Sequence, residues 1–304
     1  MNHPAPPTID PPAVQRLERL PLDHSPWLHE EVARRMAERL QWIKLQPEAW
    51  LDWSPTWGGL EAHERLRERY PKARAHVHEP VAARAAEARR RHEPAWWQPA
   101  RWGGRATTVG LPEDGSVQMV WSNMALHATD QPQGLIGQWH RALAVDGFLM
   151  FSCLGPDTLQ ELRAVYADAG WPVPGHVFTD MHDWGDMLVE AGFAEPVMDM
   201  ERVVLTFESP ERLLQELREL GRNLHPARFQ ACRGRGWHAA LLQSLRSHEA
   251  LTRPSPGSLS LTFEIIYGHA FKPVPRIPLG PQSAVSLQEM KAVLRHGKKN
   301  LPPV

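Results

Sequence analysis

The chain has 304 residues, enough for one α/β domain of about 250 residues with tails. Its 34 Lys and Arg stand against 35 Asp and Glu, so no net field draws it toward nucleic acid or an anionic membrane. Its two cysteines, Cys153 and Cys232, lack zinc-site spacing, and no apolar run approaches 18 residues, which excludes a zinc ribbon and a membrane span and favours a reducing cytoplasm.

The opening MNHPAPPTIDPP has no basic stretch leading into an apolar core, so secretion is not expected. Prolines crowd both ends, at Pro4, Pro6, Pro7, Pro11 and Pro12 and again from Pro273 through Pro281. Residues 1–24 and 274–304 therefore read as Pro-rich tails, the second with a short helix, around a domain at 25–273.

In LHEEVARRMAERLQWIK, residues 28–44, Leu28, Val32, Met36, Leu40 and Ile43 recur at three- and four-residue steps and predict an amphipathic helix. AWLDW, 49–53, reads as a strand that ends in the turn SPTWGG. A helix over 60–70, a strand over 73–79 and an Ala- and Arg-rich helix over 81–93 follow, then a Trp-, Pro- and Gly-containing loop over 94–105. A strand from Val117 ends near Ser122, a helix over 131–144 closes at Asp146-Gly147, and FLMFSCL, 148–154, is apolar enough for a strand covered on both faces. Helices at 157–169, 180–191 and 209–220 and strands at 198–207 and 258–271 complete the series. Alternating strands and helices predict a doubly wound, mostly parallel sheet with right-handed crossovers.

In such a sheet ligands bind beyond the carboxyl end of the first strands, which directs attention to Asp52 through Gly59 and to Glu79, the acid ending the second strand. Asn123 and His127 follow the fourth strand and face the same region. Asn123, His127, His176, His225 and Arg228 are the groups suited to shaping a pocket for a carboxylate. His269 lies within a strand and reads as structural. Asp180, His182, Asp183 and Glu190 gather at one helix start, where Asp180 reads as an N-cap, and no metal is expected.

SPWLHEEVARRMAERLQWIKLQPE, VWSNMALH, HVFTDMHDWGDMLVEAGFAEPVMDME and LTFEIIYGHAFKP together resemble the malonyl-acyl-carrier-protein (ACP) O-methyltransferases of biotin synthesis, known as BioC, over roughly residues 13–273. The resemblance implies a Rossmann-like class I methyltransferase fold with seven strands and a helical insertion over about 208–257. It implies S-adenosylmethionine (SAM) as cofactor, the free carboxyl of malonyl-ACP as methyl acceptor, and ACP as partner. Methyl transfer to a carboxylate needs positioning rather than a base, so no catalytic residue is implied beyond Asn123 and His127 in positioning roles.

The family's Asp-Leu-Gly-Cys-Gly-Thr-Gly motif falls on Asp52 to Gly58, with Ser54 and Thr56 in place of its first two glycines and Pro55 between them. The resemblance thus assigns cofactor contacts to Asp52, Ser54, Thr56, Gly58, Gly59, Glu79 and Asn123, and substrate contacts to His127, His225 and Arg228. Glu79 would accept both ribose hydroxyls. Glycine there lets the backbone approach the methionine end of SAM, Pro55 lacks an N–H, and Trp57 takes space the cofactor needs. Two alternatives stay open: a fold kept for binding or assembly without catalysis, and a related activity such as that of the complex I assembly factor resembling an arginine hydroxylase. Leu22-Asp23-His24 also stands where relatives have a Tyr-Asp pair, and Gln118 where many have Asp. In GRNLHPARFQACRGRGW, 221–237, Arg222, Arg228, Arg233 and Arg235 would face the substrate carboxylate or an acidic ACP surface.

Overall fold

The computed structural model describes residues 9–22, 24–92, 107–252 and 257–275. The expected 94–105 loop and C-terminal tail lie outside them, apart from a few flanking residues.

Strand β1 (Ala49–Trp53) is buried along its whole length because it runs at the centre of a seven-stranded sheet. β2 (Arg74–His78) and β4 (Val117–Ser122) flank it in parallel, and β3 (Thr108–Val109) forms the edge beyond β2. On the other side come β5 (Leu143–Leu154), β7 (Leu259–Phe271) and β6 (Ala194–Phe207), giving the order β3-β2-β1-β4-β5-β7-β6 with β7 antiparallel to both neighbours. The expected doubly wound, mostly parallel sheet is present.

Side-chain alternation sorts the core into two layers. Trp50 joins Leu28, Val32 and Met36 of α2 (Trp27–Arg39), Leu66 of α4 (Leu60–Arg69), and Leu162 and Val165 of α7 (Gln160–Asp168). Leu51 and Trp53 point the other way, toward Ile136 and Trp139 of α6 (Pro132–Ala142) and Trp184 and Leu188 of α8 (Met181–Glu190). Asp180 caps α8 as expected, its carboxylate accepting from the His182 N–H at 2.8 Å. The insertion supplies α9 (Pro210–Leu220), α10 (Arg235–Ser247) and α11 (Glu249–Thr252).

Two elements depart from the sequence expectation. The predicted tail contains helix α1 (Pro11–Glu18), started by Pro11 and Pro12 where no N–H is needed, which buries Ala13, Val14 and Leu17. The helix expected to close at Asp146-Gly147 ends at Ala142, and those two residues form an irregularity within β5, where Asp146 takes φ 62° while its N–H bonds Lys272 O.

Gly268 on β7 sits opposite Phe151 on β5, and a Cβ there would lie 2.1 Å from the Phe151 ring. That ring is fully buried beside Trp139 and has nowhere to move. Gly268→Ala is expected to lower stability by about 1–3 kcal/mol through overpacking, measured by urea denaturation.

Candidate active site

The turn after β1 is built from polar contacts that stay inside the chain. Ser54 adopts φ 57°, a left-handed conformation uncommon for a residue with a Cβ. It is held by its N–H donating to His78 O at 2.7 Å and its Oγ donating to Glu79 Oε2 at 3.2 Å. Pro55 then opens α3 (Pro55–Gly58), a single turn, and the Thr56 N–H donates to Glu79 Oε1 at 2.8 Å. Both oxygens of Glu79 are thus engaged by the loop they face. Burial pushes the Glu79 carboxyl pKa up, and its bonds to Thr56 and Ser54 pull it back.

The loop is tied to α2 as well. Ser25 Oγ donates to Thr56 O at 3.1 Å and accepts from Leu60 N, while Glu30 accepts from Leu60 N at 2.7 Å and so satisfies the first turn of α4. Asn123, at the end of β4, donates from Nδ2 to His29 O at 2.8 Å and to Gly58 O, and its Oδ1 accepts from Ser152 Oγ at 2.6 Å. Gly58 permits that approach, since a Cβ on it would lie 2.7 Å from Asn123 O. His29 Nδ1 donates to Trp57 O at 2.8 Å, and burial lowers the His29 pKa to about 4.

Trp57 completes the closure. It is buried among Ala13, Val14, Leu17 and Leu224, and its Nε1 donates to Met124 O at 3.1 Å. Its side chain stands between two cavities and lines both. One, of about 250 Å³, is bounded by Trp53, Ser54, Pro80, Val81 and Leu135. The other, of about 230 Å³, is bounded by Leu154, His127, His176, Arg218, Arg222 and Phe263. Apolar walls carrying two guanidinium groups can desolvate an acyl group while attracting a carboxylate.

The structure therefore brings Ser54, Thr56, Gly58, Glu79 and Asn123 together, with Gly59 (φ 141°) leading into α4. Asp52 is set apart from both cavities. Its Oδ2 bonds His63 Nδ1 at 2.8 Å, and burial raises its carboxyl pKa well above the usual range. His127 lines the second cavity, where its Nδ1 accepts from Leu154 N at 3.3 Å and burial depresses its pKa strongly. His225 and Arg228 do not line either cavity, because Arg228 bonds His225 O and pairs with Asp10 at 2.6 Å at the head of α1. Sequence reasoning missed His29, Ser25 and Glu30. The only signal for them was their place in SPWLHEEV, the stretch that runs onto the loop.

No family model matches the chain. Two relatives align over most of it. The malonyl-(acyl-carrier protein) O-methyltransferase of Gallionella capsiferriformans is 42% identical over 264 residues, covering 84% of this chain and 87% of that protein. The protein of the same name from Laribacter hongkongensis is 36% identical over 264 residues, covering 84% and 86%. Among solved structures, one described as a methyltransferase from Bacillus halodurans superposes with a TM-score of 0.51 at 17% identity, covering 79% of this chain and all of that one, a likeness of fold.

Proposed function

The chain belongs to the malonyl-(acyl-carrier protein) O-methyltransferase family, and from that premise we propose that it is a cytoplasmic enzyme of biotin synthesis that moves the methyl group of SAM onto the free carboxyl of malonyl-ACP. The observation that carries this reading is the 42% identity over 84% of the chain. No helix among the described residues is long and apolar enough to cross a membrane, consistent with a partner met in solution. Masking the carboxylate as an ester removes the charge that would bar a malonyl group from chain elongation.

The residues suit SAM unevenly. The first cavity, walled by Trp53, Pro80, Val81 and Leu135, suits a purine, and Ser54 connects it to Glu79, the group that would hold the ribose diol. The methionine end does not fit this conformation, because Trp57 and the Asn123–Gly58 bond close its path. When bound, SAM supplies a methyl group already activated by a sulfonium. The chain's own residues have the remaining work of binding and drying the acceptor: the second cavity offers Arg218 and Arg222 to the malonyl carboxylate and Leu154, Leu159 and Phe263 to its thioester arm.

One observation favours a second reading, a family member that keeps the fold for binding and has given up catalysis: Glu79, Asn123 and Trp57 find inside the chain the partners that a cofactor would provide. Incubation of the protein with SAM and malonyl-ACP, followed by intact mass measurement of the ACP, separates the two. The enzyme reading expects a gain of one methyl group that requires both SAM and protein. Unmodified malonyl-ACP at millimolar SAM overturns it in favour of the second.

A further inference from the structure

Behind the cofactor loop, α4 and α5 (Ala82–His92) bring His63, Glu64 and His92 together. One ligand atom from each lies within 4.8 Å of the other two, and the two imidazole rings have centroids 4.9 Å apart. His63 is fully buried, yet its Nε2 has no hydrogen-bond partner among the described residues. Its other nitrogen, Nδ1, bonds the carboxylate of Asp52 at 2.8 Å, and Asp52 is itself 2% exposed.

These features fit one another chemically. When the Asp52 carboxylate accepts the Nδ1 proton, Nε2 is left as a bare, buried lone pair in the residue that groups with His92 and Glu64. A carboxylate behind one ring nitrogen with the other nitrogen presented outward is the arrangement that orients histidines for metal ions. A cation on Nε2 would satisfy the buried lone pair. Two imidazoles and one carboxylate form a borderline donor set that suits zinc.

We propose that His63, Glu64 and His92 bind a zinc ion, with Asp52 as the outer carboxylate that positions His63 and water completing the tetrahedron. Tetrahedral bonds of about 2.1 Å place ligand atoms about 3.4 Å apart, so separations within 4.8 Å must close by up to about 1.4 Å. Glu64 is exposed and His92 half-buried at the last described turn of α5, so both have the rotamer freedom to close in. Glu64 also faces Arg67 at 3.7 Å, an exposed pair of the kind that contributes little and yields to a metal bond. The ion would staple α4 to α5 through β1, and it does not depend on what the cofactor loop binds.

The test uses full-length protein stripped with EDTA, titrated with zinc alone against a chromophoric zinc chelator, with thermal denaturation in parallel. One equivalent should be withdrawn from the chelator, and the Tm should rise by about 5 °C. His92→Ala, at a half-buried helix end where folding is not at risk, should abolish both effects, and Asp52→Asn should weaken zinc binding by about tenfold or more. Absence of withdrawal by the wild-type chain, or withdrawal unchanged in His92→Ala, overturns the proposal.

Discussion

Trp57→Gly is expected to raise the affinity for SAM on the order of a hundredfold while lowering the Tm by about 6 °C or more. Admitting the methionine end of SAM requires parting Glu79 from Ser54 and Thr56, parting Trp57 from Met124, parting Asn123 from Gly58, and withdrawing the indole from Ala13, Val14, Leu17 and Leu224. At about 1 kcal/mol net for each hydrogen bond and about 2 kcal/mol for uncovering the indole, opening opposes binding by about 6 kcal/mol. That whole amount is subtracted from the cofactor's intrinsic binding energy. Removing Trp57 eliminates about 3 kcal/mol of it, which is about two decades in affinity. The same substitution removes a buried Trp side chain, at a loss of about 3–5 kcal/mol in stability. Calorimetric titration measures the first effect and differential scanning calorimetry the second; an affinity unchanged from wild type would show that Trp57 does not stand in the path.

A second large effect concerns pH. His29 is fully buried and its pKa is lowered to about 4 by burial, against 6.5 for an ordinary histidine. Between pH 6.5 and 4 the unfolded chain takes up a proton that the native ring refuses, so the native state loses stability as pH falls through that window and loses nothing above it. The shift corresponds to about 3 kcal/mol. His29→Asn retains a donor for Trp57 O but cannot titrate. The stability advantage of wild type over His29→Asn is therefore expected to shrink by about 2–3 kcal/mol between pH 7 and 4.5, as followed by urea unfolding. Asp52 and Glu79 have raised pKa values and act in the opposite sense, contributing stability at low pH that is lost as pH rises. The comparison is accordingly a difference between two proteins, in which those carboxyls cancel. A difference constant with pH would mean that His29 is protonated alike in both states.

Most of the fold was legible because its signals are local. Leu28, Val32 and Met36 announce α2 by spacing alone, and β1 is placed at 49–53 by a short apolar run and its turn. What escaped depends on neighbours. β3 has only two residues and exists because β2 offers it an edge. α1 was hidden by its prolines, which in fact start it, and its apolar face is too short to register without Trp57 and Leu224 to cover it. At the site, Ser54, Thr56, Glu79 and Asn123 could be named from their places at strand ends. That Glu79 spends both oxygens on its own loop could not, since this follows from the left-handed turn at Ser54. The pairing of Asp52 with His63 was hidden for a similar reason: His63 lies one helix turn into α4, and only packing brings the two together. Arg228 likewise looked available for a substrate until α1 presented Asp10 to it.

In the function proposed above, a SAM site lies beneath a latch made of Trp57, Glu79 and Asn123. Its most direct test is the position of the Trp57 indole in crystals grown with saturating SAM. The predicted result is an indole moved out from between the two cavities, with SAM running from the Val81 side to the Asn123 side and the Glu79 carboxylate turned onto its ribose. An indole still bonded to Met124 O, with no cofactor beside Glu79, would contradict it.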